Sequence, residues 1–560
     1  MYDLVIEDAQ ILDGTGAPAF AGDVAVAAGR IAAVGKLSGA LVKRRVKADG
    51  LALAPGLIDV HTHYDAQLTW EPTASPSPAL GVTTVVMGNC GFGIAPCPPA
   101  TRDLIACNLS EVEGMPLDAL RVGIDWSFES FADYLALLRR KGSFPNVAVF
   151  VGHSTLRSVV MGPAGSERAA RGDEIARMRA LVGEAIEAGA IGFASSQSQN
   201  HNGHGGVPMP SRLADDDEIA SLAGVLGEKR RGLFQITVGP TTSVAFLESI
   251  ALRTGRPVVF SALFHNDAFP ERAPSMLAEC RAAQARGHRV YAQVACQPLS
   301  MDFTLANAYP MQSLECWSDL RGADSATLRR AFVDPGFRAR MRGELAIPKK
   351  GKLFYGDWHK VEIAQVAEAR HRPLEGQTVA RYAAEHAIDP LDGFFDLALA
   401  EDLATGFNAK LLNTDETVVE SLLRDPASLI SLSDAGAHLT YLCDAGFGLS
   451  LLGHWTRERG SFTLAEAVHQ LTGRPAAIYG LAGRGRIRPG DWADLFLFDP
   501  ARVEVGRSRR VFDLPTGAGR LIRDPIGVHG VWVNGVEVFD GRDYTRPETA
   551  PGRLLDRFAG

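Results

Sequence analysis

The sequence predicts an α/β protein built around a (β/α)8 barrel, the TIM-barrel fold, and two observations favour this fold class. Eight short apolar segments recur between residues 57 and 433, and amphipathic stretches separate most of them. A histidine pair, His61 and His63, ends the first apolar segment, where barrel enzymes carry functional side chains. Strands that alternate with helices are typical of a parallel sheet.

The eight predicted barrel strands are short apolar runs bounded by turn residues or amphipathic stretches. They cover 57–62, 82–88, 146–152, 190–195, 232–238, 257–263, 289–296 and 428–433. Helical periodicity between them predicts helices at 174–188, 217–229, 242–253 and 274–286.

The two ends of the chain have a different texture. The first 50 residues contain short alternating strands, including 3–6 and 9–12, and the tail contains a strand at 494–498 and an Asn-Gly hairpin at 530–539. Neither end has enough apolar residues for a core of its own. We therefore predict one composite β-sandwich from residues 1–55 and 485–560, with the catalytic barrel in residues 56–484 between them.

The interval between the seventh and eighth strands is too long for a single helix. Within this interval, we predict that residues from about 300 to 375 form an insertion that covers the barrel mouth. An accessory structural subdomain is the alternative, and composition does not separate the two.

Composition excludes several classes of function. The 560 residues are 46% hydrophobic and 22% charged, which is ordinary for a globular protein. A net charge of −8 without a basic cluster argues against nucleic-acid binding, and no apolar run approaches the length of a membrane span. The first ten residues lack the pattern of a signal peptide, and seven scattered cysteines indicate a reducing cytoplasm. The expected partner is a small-molecule substrate, and a homo-oligomer stays open.

The His61-Thr62-His63 motif predicts part of a metal site. Residues at i and i+2 of a strand point to the same face, so both imidazoles reach one point. Neutral imidazole is a preferred ligand of zinc. The alternative is a pair of core histidines, and the position at a strand end favours the metal ligands.

Two further strand ends supply candidate groups. Cys90 follows the second strand, and its thiolate is a strong zinc ligand, although most cysteines are buried structural thiols. Asp434 follows the eighth strand, where a carboxylate can bind metal and accept a proton from water. A turn aspartate that accepts backbone N–H bonds is the alternative for Asp434.

Several motifs resemble those of the amidohydrolase superfamily. The run Ala54–His63 is similar to its first-strand signature, and Gly483–Leu495 is similar to its return into the terminal domain. Gly81–Val86 with Gly88–Gly91 resembles the N-acyl-D-amino-acid deacylases (D-aminoacylases). The resemblance spans nearly the whole chain.

This resemblance implies a metal-dependent hydrolase, usually with zinc, that cleaves N-acyl-D-amino acids. It implies that His61 and His63 bind the metal, that Cys90 takes the place of a carboxylated lysine, and that Asp434 is the catalytic base. No lysine stands at the fourth strand end, which disfavours the carboxylated-lysine subtype.

The sequence departs from that family at the fifth and sixth strands. The family places a histidine at each of these strand ends, whereas the fifth strand has Gln235 and the sixth has no histidine before His265, two or three residues late. Of one or two zinc ions, we therefore favour one, bound by His61, His63, Cys90 and Asp434 with His265 as a further candidate ligand.

Three more residues are candidates for substrate binding. His153 and Arg157 follow the third strand and His438 follows the eighth. For His153 the alternative is a histidine that bonds local backbone, and His438 could simply lie on its loop.

The predicted function is hydrolysis of the amide bond of N-acyl-D-amino acids to a carboxylate and a D-amino acid. Another hydrolase of C–N bonds, such as one acting on cyclic amides or imides, uses the same attack by water. A third reading is a barrel without catalysis that has lost its buried metal.

Overall fold

The computed structural model describes residues 1–37, 39–349 and 352–558. Its strands are β1 (Tyr2–Ile11), β2 (Phe20–Ala27), β3 (Arg30–Gly35), β4 (Val42–Lys47), β5 (Ala52–Pro55), β6 (Leu57–Asp59), β7 (Val82–Met87), β8 (Asn146–Gly152), β9 (Gly192–Ser196), β10 (Leu233–Thr237), β11 (Val258–Leu263), β12 (Val290–Val294), β13 (Leu299–Phe303), β14 (Val361–Gln365), β15 (Gly406–Leu412), β16 (Ser428–Ile430), β17 (Leu495–Phe498), β18 (Glu504–Val511), β19 (Arg520–Ile526), β20 (Val528–Val533) and β21 (Val536–Phe539).

Its α-helices are α1 (Arg102–Val112), α2 (Leu117–Gly123), α3 (Phe131–Lys141), α4 (His153–Met161), α5 (Gly172–Ala188), α6 (Asp216–Lys229), α7 (Val244–Thr254), α8 (Arg272–Ala285), α9 (Ser325–Val333), α10 (Pro335–Leu345), α11 (Val379–Glu385), α12 (Pro390–Ala400), α13 (Glu416–Leu423), α14 (Phe447–Ser450), α15 (Leu464–Leu471) and α16 (Gly473–Tyr479). A π-helical segment, Leu451–Glu458, continues α14. None of the described helices has the length and apolar character that crossing a bilayer requires.

Eight parallel strands form the central sheet, in the order β6-β7-β8-β9-β10-β11-β12-β16. Thr62, just beyond β6, and Ala435, beyond β16, form a parallel bridge, so the two outer strands meet. All eight strands overlap the segments that the sequence predicts, which confirms the parallel eight-stranded sheet. Helices α5 to α8 likewise overlap the four predicted helices.

The central sheet is buried on both faces. Every residue of β7 and β8 is buried, because helices pack outside and side chains fill the interior. Because the strands are parallel, their carboxyl ends lie at one edge of the sheet, where polar side chains can converge.

Strands from both ends of the chain share one sheet. β5 lies between β1 and β17, and β20 and β21 continue the sheet beyond β17. The two ends therefore pair directly, whereas the two-layered sandwich stays a prediction. The predicted strands at 3–6 and 9–12 are one continuous strand, because a bulge between Ile6 and Ala9 absorbs the interruption.

The segment between β12 and β16 has a sheet and an apolar core of its own. β15 pairs with β13 and β14 in antiparallel fashion. A cluster of buried apolar side chains reaches from Met301 to Leu411 and continues to Tyr441 and Leu442 beyond β15. This cluster extends past residue 375, the limit that the sequence predicts for the insertion.

Candidate metal centre

His61 and His63 leave β6 at the carboxyl edge of the central sheet. The backbone N–H of His63 donates to the carbonyl oxygen of Ala435 at 2.7 Å, which fixes the extended course of this segment. The two rings lie 5.4 Å apart between centroids. Both side chains are buried, with 1% and 5% of their residue surfaces exposed.

Cys90 completes a group of three metal-ligating atoms. Its Sγ lies 3.4 Å from Nε2 of His61 and 3.9 Å from Nε2 of His63. Cys90 has φ +56° and stands between Gly88 and Gly91, which also have positive φ. A Cβ on Gly91 would come within 2.9 Å of the carbonyl oxygen of Ala194, so this tight turn requires glycine.

Asp434 faces the same group from the loop that follows β16. Its Oδ1 lies 3.1 Å from Nε2 of His61 and 3.6 Å from Nε2 of His63. The Asp434 side chain is 25% exposed, whereas those of the two histidines are nearly buried. Asp434 thus lies on the open side of the group, where a substrate can approach.

The electrostatics of the group favour a bound cation. Burial lowers the pKa of His61, but the negative charges of Cys90 and Asp434 outweigh it and raise that pKa to about 10. Burial raises the pKa of the Cys90 thiol, and the adjacent His61 and His63 more than reverse this and lower it. Because the two anions hold positive charge on the imidazoles, a divalent cation that displaces those protons fits this donor set.

Three side chains that the sequence did not single out as functional hold the far sides of the ligands. The Nδ1 of His61 donates to Oε1 of Gln293 at 2.7 Å, which leaves Nε2 free to face Cys90. The Nδ1 of His63 lies 3.0 Å from Oε1 of Glu113, and Oγ1 of Thr237 donates to Sγ of Cys90 at 3.0 Å.

The sequence carries little that marks these partners. Gln293 and Thr237 differ from their surroundings only as polar residues in apolar strands. Glu113 lies just after α1 and carries no pattern that links it to His63.

The structure places His265 outside the group of three. Its Nε2 lies 2.9 Å from Oδ1 of Asp267, and Asp267 also pairs with Lys360. Across residues 1–37, 39–349 and 352–558, the group of close metal-ligating atoms comprises His61, His63 and Cys90. A ligand role for His265 therefore stays a prediction, and the observed partner of its ring is the carboxylate of Asp267.

His153 and Arg157 lie in a buried polar cluster. The ring nitrogens of His153 are 2.9 Å from Oγ of Ser195 and 2.9 Å from Oε1 of Glu218. Arg157 donates from Nη1 to both carboxylate oxygens of Glu218 at 2.6 Å. Neither side chain has exposed surface, so their predicted contact with substrate stays a prediction.

His438 lies closer to the open side. Its Nδ1 is 2.8 Å from the hydroxyl of Tyr441, and its backbone N–H donates to the carbonyl oxygen of Glu113 at 2.5 Å. Tyr309, from the segment after β13, stacks on Tyr441 with ring centroids 4.7 Å apart. His438 is thus linked to the wall of the mouth, and its predicted role in substrate binding stays a prediction.

A cavity of about 450 Å³ opens beside this stack. Its wall combines polar and apolar groups, and the apolar part comes from the segment after α1 and from the region between β13 and α9, including Met115, Leu305, Ala308 and Trp317. Gly114 and Tyr441 line it as well, next to Glu113 and His438. The cavity therefore lies next to Glu113, which contacts His63, and next to the loop that carries His438.

Comparison with known proteins shows which family the chain belongs to. A model of the amidohydrolase family matches residues 45–340 and 350–539. A D-aminoacylase from Alcaligenes xylosoxydans xylosoxydans is 32% identical over 574 aligned residues, which cover 100% of this chain and 98% of that protein.

Solved structures agree over the same length. A D-aminoacylase described as having a binuclear metal centre, with one-metal activation and second-metal attenuation, is 28% identical, with a TM-score of 0.68 and complete coverage of both chains. An N-acyl-D-glutamate deacylase from Bordetella bronchiseptica, complexed with zinc and a phosphonate mimic of the tetrahedral intermediate, is 27% identical, with a TM-score of 0.68 and coverage of 99% and 100%. With its parallel eight-stranded sheet and its histidine and cysteine donors at the strand ends, this chain belongs to the amidohydrolase family.

Proposed function

We propose that this protein is a zinc-dependent hydrolase of N-acyl-D-amino acids that releases a carboxylate and a D-amino acid. The observation that carries the proposal is the convergence of two imidazoles and a thiol within 4.8 Å, with the carboxylate of Asp434 on the exposed side. Full-length similarity to a D-aminoacylase supports the substrate class.

His61, His63 and Cys90 would hold the zinc ion, with Asp434 as a fourth ligand. When bound, zinc lowers the pKa of water and polarises the scissile carbonyl. Gln293 and Glu113 face the outer nitrogens of the His61 and His63 rings, and these contacts orient the two imidazoles as ligands.

Asp434 is the proposed catalytic base. While the imidazoles are protonated, the charges and hydrogen bonds of His61 and His63 outweigh the effect of burial and hold the pKa of Asp434 well below its usual value. A zinc ion bound in place of those protons would supply the positive charge that keeps the carboxylate ionised. The carboxylate is therefore ionised at neutral pH, ready to accept a proton from the attacking water. It then passes that proton to the nitrogen of the leaving amine.

We propose that one zinc ion is bound per chain. The fifth barrel strand, β10, ends in Thr237, and the sixth, β11, carries Ser261 two residues before its end; the two hydroxyls lie 3.0 Å apart. A hydroxyl is a weaker zinc ligand than the imidazole, thiolate and carboxylate groups that typical zinc sites use. Elemental analysis of the purified protein should find about one zinc per chain, and a value near two would contradict this stoichiometry.

We also propose that the chain divides into a terminal domain, residues 1–55 and 485–560, and a barrel, residues 56–484. The insertion of about residues 300–375 would cover the barrel mouth, since it supplies Tyr309 to the wall of the cavity. A cavity of about 450 Å³ is large enough for the acyl group or the amino-acid side chain of a substrate.

A substrate panel tests the activity. The zinc-loaded enzyme should release free amino acid from N-acetyl-D-amino acids and not from their L enantiomers. Hydantoins and dihydropyrimidines serve as the contrasting substrates. Faster ring opening of these cyclic compounds than cleavage of every N-acyl-D-amino acid would overturn the proposal.

A further inference from the structure

Four buried side chains and one backbone group form a closed ring of hydrogen bonds behind Cys90. The N–H of Cys90 donates to Oε1 of Gln235 at 2.9 Å, and Nε2 of Gln235 donates to Oγ of Ser261 at 3.0 Å. The hydroxyls of Ser261 and Thr237 are 3.0 Å apart, and Oγ1 of Thr237 lies 3.0 Å from Sγ of Cys90. All four residues are at most 8% exposed.

One fixed donor sets the direction of two bonds in the ring. A backbone N–H can only donate, so the Cys90 amide requires the carbonyl oxygen of the Gln235 side chain to face it. The amide nitrogen of Gln235 must then face Ser261 and donate to it. Thr237 gives its single hydroxyl hydrogen to Sγ of Cys90, so the hydrogen between the two hydroxyls comes from Ser261.

In this ring, the sulfur of Cys90 accepts the hydrogen bond from Thr237. A thiolate accepts a hydrogen bond far better than a thiol does, because a charged partner strengthens the bond. The other side of the sulfur faces Nε2 of His61 and His63. The ring therefore presents sulfur as a hydrogen-bonded anion toward the imidazole side.

We infer that Thr237 is a positioning residue that orients the sulfur of Cys90 as a metal ligand, with Ser261 and Gln235 fixing the direction of its hydroxyl. This inference rests on the proposed zinc site. Thr237 ends β10, and Ser261 lies two residues before the end of β11; these are the two strands where the family resemblance implies histidines. The hydroxyl of Thr237 thus occupies the side of the sulfur that faces these strands.

Cobalt(II) substitution tests this role without measuring activity. Thiolate ligation gives cobalt a charge-transfer absorption band whose energy depends on hydrogen bonding to the sulfur. Thr237→Val keeps the shape and removes the hydroxyl, so we expect the band to move to lower energy. Zinc affinity, measured by competition with a chelating dye, should weaken by about 10- to 100-fold. Thr237→Ser retains a hydroxyl and should restore both values toward those of the wild type.

The matched control is Thr83→Val. Thr83 is a buried threonine at the amino end of β7, and its Oγ1 has no hydrogen-bond partner in the described part of the chain. This variant should bind cobalt and zinc like the wild type, and circular dichroism should show that all three variants are folded.

Two results would overturn the inference, and they are distinguishable. A wild-type thiolate band that stays unchanged in Thr237→Val, with unchanged zinc affinity, refutes the role of Thr237 and leaves the proposed function intact. Absence of a thiolate band from the wild-type cobalt protein refutes Cys90 as a ligand, and with it both the inference and the proposed zinc site.

Discussion

The Oδ1 of Asp434 lies 3.1 Å from Nε2 of His61, the same nitrogen that lies 3.4 Å from Sγ of Cys90. One imidazole nitrogen thus faces two acidic groups that come from opposite ends of the barrel sequence. Such a convergence of donors is expected where a cation binds.

Replacing Asp434 by asparagine should remove the catalytic base and keep the shape of the side chain. We expect kcat on an N-acetyl-D-amino acid to fall by about 10²- to 10⁴-fold, the usual contribution of a general base. Asp524→Asn, at a half-exposed carboxylate paired with Arg509, is the control and should retain most activity. Wild-type kcat in Asp434→Asn would exclude Asp434 as the base.

Removal of zinc should lower the unfolding temperature. A ligand that binds only the folded state at 100 times its Kd stabilises that state by about 2.7 kcal/mol. Chelated protein should therefore melt earlier in a calorimeter, and added zinc should restore the transition. Cys90→Ala should lose this response, whereas Cys97→Ala, at another buried free cysteine, should keep it. An equal zinc response in both variants would argue against Cys90 as a ligand.

Stability should fall in acid because of Glu218. Burial raises the pKa of Glu218, but His153 and Arg157 outweigh it and lower that pKa below its ordinary value of 4.5. A lowered carboxylate pKa stabilises the folded state above about pH 4.5, and this contribution is lost as the pH falls through the folded-state pKa.

Glu218→Gln tests that contribution. It leaves Arg157 buried without its carboxylate, so we expect a loss of about 3–5 kcal/mol at pH 7, measured by denaturant unfolding. The variant should also lose part of the acid dependence. Glu248→Gln removes a more exposed carboxylate paired with Arg286, and its smaller loss provides the comparison.

Filling the cavity at Ala308 should change substrate preference. Ala308 is buried and lines the cavity beside Tyr309. Ala308→Phe should lower kcat/KM for substrates with a bulky apolar group by about 10-fold or more, since each methylene in such a pocket is worth about 1–3 kcal/mol. N-acetyl-D-alanine is the internal control and should be hydrolysed at an unchanged rate. An equal loss for small and bulky substrates would show that the cavity does not hold the bulky group.

The order of the barrel strands and their carboxyl ends could be predicted because both depend on local pattern. Apolar runs mark the strands, and parallel strands bring their ends to one edge, so His61, Cys90 and Asp434 could be placed together despite their separation in sequence. The contact of Glu113 with His63 could not, because it depends on how the segment after α1 folds over the barrel. No periodicity encodes that arrangement.

The terminal strands show a different limit of local pattern. The interruption between Ile6 and Ala9 looks like a turn in the sequence, yet the sheet continues through it as a bulge. The neighbouring strand β2 pairs on both sides of the bulge, so tertiary pairing overrides the local break.

The pairing of β5 with β17 has a consequence for synthesis on the ribosome. Ala52 lies opposite Phe498, so the sheet that contains the first strands cannot be completed until nearly the entire chain has emerged. Contacts between such distant residues carry a large loop-closure cost and slow folding. The outer edge of β5 therefore stays unpaired while the barrel is translated, and an unpaired strand edge favours misassembly in the nascent protein.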